Sequence, residues 1–192
     1  MKHLRQYIRR ILLTEGMKTV EELPDSVTVD CRRDRSADGW WIEFNDPSFD
    51  ATVWGSMLIA RIPKGKYGNC DNAMRVMSVR TPHGWGPLLY DIAIEWATLK
   101  ADGLTPDRMA VSRDANNVWD YYMNNRPDVK KTQLDNLEDS FKNGPKDDCE
   151  QLVGDVFNED IPWQDSSMSK KYSKTPTTIN QLKANGKWRL SK

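Results

Sequence analysis

The sequence predicts an α+β domain with a mostly antiparallel sheet and one parallel step. Three observations carry that expectation. Residues 19–63 hold short strand-like runs separated by polar turns, as antiparallel hairpins require. At Gly84-Trp85-Gly86-Pro87 the apolar period changes from two to between three and four. Around that corner, from Met74 to Asn125, the order is strand, glycine loop, helix, strand, helix.

Residues 1–14 place Leu4, Tyr7, Ile8, Ile11 and Leu12 on one stripe, with Lys2, Arg5, Arg9 and Arg10 on the other faces. This is an amphipathic helix, ended at Gly16. It reads as a helix docked on its own domain or as an arm for a protein partner. Val27 to Val29, Trp40 to Phe44 and Ala51 to Ile62 follow as strands, with turns at 34–39 and 45–50. Met74 to Arg80 is the next strand. Leu88, Leu89, Ile92, Ala93, Trp96 and Ala97 then mark a helix over 87–101, with Pro87 in its first turn and Gly103 as its stop.

Leu104 to Asp107 reads as a loop and Met109 to Val111 as a short buried strand. The crossover through the helix makes strands 74–80 and 109–113 parallel neighbours. Asp114 is the expected N-cap of a helix from Ala115 to Asn125, with Val118, Tyr121 and Tyr122 inward. Residues 128–148 are polar, and Leu134, Leu137 and Phe141 fit a strand or a short helix. Cys149 to Phe157 reads as a short helix. Residues 158–192 read as a tail that packs on its own domain or a neighbour. Its last helix starts at Thr175-Pro176, is anchored by Ile179, Leu182 and Trp188, and stops at Gly186. The division is an arm (1–16), a domain (19–157) and a tail (158–192).

Composition narrows function by exclusion. Lys and Arg number 28 and Asp and Glu 28, so the chain as a whole offers no cationic surface to nucleic acid. Three Cys, distant from one another, and two His give no zinc or disulfide pattern, so no metal is expected and a reducing compartment is. No apolar run approaches the roughly 18 residues of a membrane span. The charges of the N-terminus are interleaved with its apolar residues, unlike a signal peptide. Eight Trp imply aromatic core or interface packing.

The segments RVMSVRTPHGWGPLLYDIAIEWA and MAVSRDANNVWDYY resemble the GNAT superfamily of acyl-CoA-dependent N-acetyltransferases over residues 39–126. The family's Gln/Arg-x-x-Gly-x-Gly/Ala loop falls on Thr81 to Gly86, with Thr81 in the first position and Arg80 one residue early. The resemblance implies a mixed sheet with helices on both faces, acetyl-CoA as substrate and an amine acceptor. It implies that Val76, Met77 and Val79 run beside the pantetheine arm. Thr81, Gly84, Trp85, Gly86 and Leu88 would hold the phosphates, with Asp114 and Asn117 at the family's later motif. Tyr121 or Tyr122 would be the acid that protonates the departing thiolate. Glu43 is a candidate base by strand position alone, with a structural role the stronger reading.

Pro82 and Pro87 lack the N–H that a phosphate cradle uses. The phrases LRQYIRRILLTEG, GWGPLLYDIAIEWAT and DSSMSKKYSKTPTTI resemble proteins of tailed bacteriophages, implying the infected host's cytoplasm or the virion. Two functions follow: an N-acetyltransferase, or a catalytically silent virion protein docking through its ends.

Overall fold

A computed structural model describes residues 17–48, 53–62, 72–107, 111–134, 162 and 165–191. The expected helices at 1–14 and 149–157, the proposed strand residues 109–110 and most of 128–148 lie outside the described residues. The strands are β1 (Thr28–Asp34), β2 (Gly39–Asn45), β3 (Gly55–Arg61), β4 (Met74–Arg80), β5 (Leu104–Thr105), β6 (Lys130–Gln133), β7 (Lys170–Ser173) and β8 (Trp188–Ser191). The helices are α1 (Gly86–Lys100), α2 (Arg113–Asn125) and α3 (Thr178–Ala184). They form an α+β fold on one mixed sheet, ordered β6-β7-β5-β4-β3-β2-β1-β8. Its pairings are antiparallel except β4 with β5 and β1 with β8.

The β1–β2 hairpin turns where Asp34 to Gly39 predicted it. The Asp34 carboxylate accepts from Ser36 Oγ at 2.6 Å, Ala37 N–H at 3.0 Å and Trp41 Nε1 at 2.8 Å. These bonds pull its pKa down to about 2. Val29, Cys31, Ile42 and Phe44 point from this hairpin into the core. On its other face Arg32 grips Glu43 through two bonds and lies over the Trp41 ring. No described helix packs on that face, so helices on both faces are not found over β1 and β2.

The helix α1 is the core's centre. Every residue from Leu88 to Trp96 is buried except Asp91, and Ala97 extends the run. Its apolar stripe faces the sheet, and its remaining sides meet α2 and α3. Trp96 packs edge-on against Trp40 at 5.1 Å and tilts against Trp188 at 5.6 Å.

The parallel step is displaced from its expected place. The strand beside β4 is Leu104–Thr105, which the sequence reading made a loop, and Val111 lies outside any strand. The cause is Gly103, held at φ +131°, where a Cβ would stand 2.5 Å from the Tyr172 carbonyl oxygen. Only glycine lets the chain enter the sheet this soon after α1. Leu104 then pairs with Met74 on one side and Tyr172 on the other.

The C-terminal segment is no tail. It supplies β7 inside the sheet, then α3, then β8 at the far edge beside β1. Trp188, expected to anchor the last helix, belongs to β8. Gly186 ends α3 as predicted, at φ +68°. The start of α3 has no side-chain cap of its own. Its N–H groups are taken by Glu95 of α1, which accepts from Thr177, Thr178 and Ile179 N–H at 2.9, 2.8 and 2.7 Å. Lys174 Nζ lies 2.7 Å from the same carboxylate and 3.0 Å from Asp91.

Two outcomes test this framework. Glu95→Ala leaves three buried N–H groups without their acceptor and takes from Lys174 the nearer of its two carboxylate partners, and should cost about 3–5 kcal/mol by urea unfolding. Asp34 has a depressed folded pKa, so its contribution to stability is present above the ordinary value of 3.8 and is lost as pH falls through about 2. A carboxyl NMR titration of Asp34 should give about 2; an ordinary value would overturn the turn geometry.

Candidate active-site cleft

The strand β4 stays with β5 for only two pairs, Met74–Leu104 and Arg75–Thr105. From Val76 to Arg80 its far edge faces no described strand. On the near edge the register with β3 slips between Leu58–Ser78 and Ile59–Val76, leaving Met77 without a partner. This is a β-bulge, which bends a strand and re-aims its peptide groups. Met77 is 39% exposed, a rare exposed apolar residue in this sheet.

A cleft opens along this edge. Its inner lobe, about 260 Å³, is lined by Val76 to Val79 of β4, Tyr90 of α1, and Val111, Ala115 and Trp119 at the start of α2. Its outer lobe, about 400 Å³, is lined by Arg80 to Gly84, Gly86, Pro87, Asp114, Asn117 and Val118. Val79, Tyr90, Ser112 and Ala115 line both. The N-termini of α1 and α2 therefore open on the same space, each with the partial positive charge of unpaired N–H groups. Arg80 and His83 add basic character, and Asp114 opposes it.

The glycine corner has a definite internal structure. Gly84 takes φ +84°, and Trp85 N–H donates to the Pro82 carbonyl at 3.2 Å. The Gly84 carbonyl accepts from Lys18 N–H at 3.1 Å. The Trp85 ring turns inward against Trp54 at 4.8 Å and Phe44 at 6.2 Å. At Gly86 a Cβ would meet nothing within 4 Å, so this glycine leaves space on the cleft side.

Val76, Met77, Val79, Thr81, Gly84, Gly86, Asp114 and Asn117 all line the cleft. Trp85 and Leu88 do not. Trp85 is a core residue whose N–H is engaged, and Leu88 lines a neighbouring cavity that meets the outer lobe at Met17 and Pro87. The cap of α2 is Ser112, whose Oγ accepts from Ala115 N–H at 3.2 Å, rather than Asp114.

Neither proposed acid reaches the cleft. The Tyr122 hydroxyl is buried between the Pro87 carbonyl at 2.8 Å and Asp91 at 2.9 Å. Burial, then the Asp91 charge, pushes its pKa well up. Tyr121 lines the neighbouring cavity of about 320 Å³ with Asp91, Arg126 and Thr178. The reason is helical phase: Ala115, Val118 and Trp119 share the cleft face, and Tyr121 is turned about 200° from Trp119. Glu43, engaged by Arg32, stands on the opposite side of the hairpin core from α1 and is no free base. The residue that sequence reasoning missed is Tyr90. Its signal was slight, one hydroxyl-bearing residue in an otherwise aliphatic run.

Among the described residues no group of three or more His, Cys, Asp or Glu is placed to hold a metal, and no helix is long and apolar enough to cross a membrane. No family model, curated protein or solved structure matches the chain. Fold and cleft together define a class: an α+β protein whose mixed sheet opens beside its bulged central strand.

Tyr122→Phe removes the buried hydroxyl that donates to the Pro87 carbonyl and to Asp91. It should lower unfolding free energy by about 1–3 kcal/mol, read by urea denaturation.

Proposed function

We propose that the chain is a GNAT-like, phage-encoded N-acetyltransferase that takes acetyl-CoA in the β4 cleft. The observation that carries this reading is the early separation of β4 from β5 beside the Met77 bulge. An extended pantetheine arm needs a strand edge with free peptide groups, and β4 offers one from Val76 to Arg80. A pyrophosphate needs N–H donors and positive potential, and the outer lobe has Gly84, Gly86, the α1 N-terminus and Arg80. Arg80 stands one residue from the position that Thr81 occupies in the family motif, and its side chain lines the same lobe. A thioester carbonyl lying at the bulge would be polarised by peptide N–H groups held in place before reaction, with positioning supplying much of the rate. The acceptor is an amine.

A second reading keeps the fold without the chemistry, as a virion component. The placement of Tyr121 and Tyr122 away from the cleft favours it, as does the engaged N–H of Trp85. In this reading the assembly arm is residues 1–14, because residues 170–191 are built into the sheet.

Titration with acetyl-CoA separates the two. Binding to the native state should raise the melting temperature progressively with ligand concentration. No shift at millimolar acetyl-CoA would sink the transferase reading. Gly86→Ala sharpens the test, since its methyl meets no protein atom and Gly86 lines the outer lobe. The variant should melt within a few degrees of the parent while binding acetyl-CoA about tenfold more weakly.

A further inference from the structure

We propose that the outer edge of β8 pairs with the same edge of a second copy of this chain, joining the two sheets across a twofold axis. The proposal is independent of the acyl-CoA reading, because β1, β2 and β3 stand between β8 and the strand that carries the cleft.

The phase of the β1–β8 ladder decides which groups are free. Val29 N–H donates to the Lys187 carbonyl at 2.7 Å, and Val29 stands beside Trp188 in the parallel register. In a parallel ladder of this phase, the bonds of Val29 and Cys31 go to Lys187, Arg189 and Ser191. Trp188 and Leu190 therefore turn their own N–H and C=O groups away from β1, and no described strand lies beyond them. Leu190 stands beside Cys31, a core residue, on the side of the sheet where Trp188 meets Trp96 of α1. It is nevertheless 55% exposed, the most exposed large apolar side chain among the described residues. Arg189 stands beside Asp30, on the opposite side of the sheet.

This edge fits itself. An antiparallel pairing about a twofold axis normal to the sheet sets side chains of the same side opposite one another. Two registers use the outward groups symmetrically. Centred on Arg189, the register sets that side chain against its own copy, and like charges directly opposite destabilise a pair. Centred on Leu190, it sets leucine against leucine in a pair that exchanges both N–H···O bonds, with Arg189 opposite Ser191. The second register takes from water the apolar side chain that the fold leaves exposed, and it opposes no like charges there. The edge carries no proline and no bulge, two of the devices that guard isolated edges. A strand of four residues buries little area, so the association is reversible and follows concentration.

Sedimentation equilibrium of the full chain, from micromolar to millimolar concentration, tests the pairing. The mass of the parent should rise with concentration towards twice that of the monomer. Leu190→Pro removes an N–H that joins the copies but none that bonds β1, and proline is tolerated on edge strands. It should stay monomeric at every concentration, with a melting temperature in dilute solution within a few degrees of the parent. Leu190→Arg, at an exposed position, should also stay monomeric, because it sets like charges face to face. Arg189→Pro is the contrast, since its N–H belongs to the ladder with β1, and it should melt well below Leu190→Pro. A parent that stays monomeric at millimolar concentration would overturn the proposal. Association that survives both Leu190 variants would place the contact elsewhere and overturn it too. An Arg189→Pro protein as stable as Leu190→Pro would reverse the phase of the edge and remove the register.

Discussion

The Glu95 carboxylate is the contact on which the rest of the structure depends. It is fully buried in the middle of α1 and completes a helix that lies more than eighty residues further along the chain. A short helix such as α3 has little intrinsic stability, and its first N–H groups need acceptors. Supplying them from α1 fixes where residues 174–179 must lie. The flanking strands are then delivered to opposite regions of the sheet, β7 between β5 and β6, and β8 beside β1. Without β7, the strand β6 would have no neighbour in the sheet. One remote carboxylate therefore sets the width of the whole sheet.

A buried carboxylate is costly unless it is paired, and the surroundings answer that cost. Asp91 lies one turn before Glu95, and Lys174 bridges the two. Arg126, at the end of α2, reaches Asp91 at 2.8 Å and Asp128 at 2.7 Å. The network joins α1, α2 and the C-terminal segment through charge-assisted bonds, which tolerate little misalignment. Its function is positional. Clamping the far end of α2 to α1 leaves the near ends of both helices free to frame the cleft. A cleft walled by two independently moving helices would hold no defined geometry.

Much of this was legible in the sequence, and the parts that were not share a cause. β2, β4 and α1 carry their own periodicity, and the Gly84 turn carries its glycine, so each was placed within a residue or two. β5 is two residues long and has no period to read. β7 and β8 are only four residues long each and owe their conformation to pairing partners rather than propensity. The cap of α3 stands on another helix, so no local motif announces it. The tyrosines show the same limit. Tyr121 and Tyr122 match a linear pattern, yet helical phase turns one away and burial closes off the other. Tyr90 matches no pattern, and only tertiary packing places it in the lining of both lobes.

The glycine corner joins the two levels. Its conformation is set from within the protein: Trp85 is locked between Phe44 and Trp54, its N–H closes the turn on Pro82, and Pro87 fixes the first residues of α1. Pro87 removes one donor from the cleft and fixes a backbone angle there. A corner held this firmly pays no ordering entropy when a ligand arrives, so fewer donors suffice for a given affinity. The same rigidity holds Gly86 and, one helical turn further along α1, Tyr90 in the lining of the cleft. The aromatic anchor thus does at the start of α1 what Glu95 does at its middle. Both pin the helix whose N-terminus opens on the cleft.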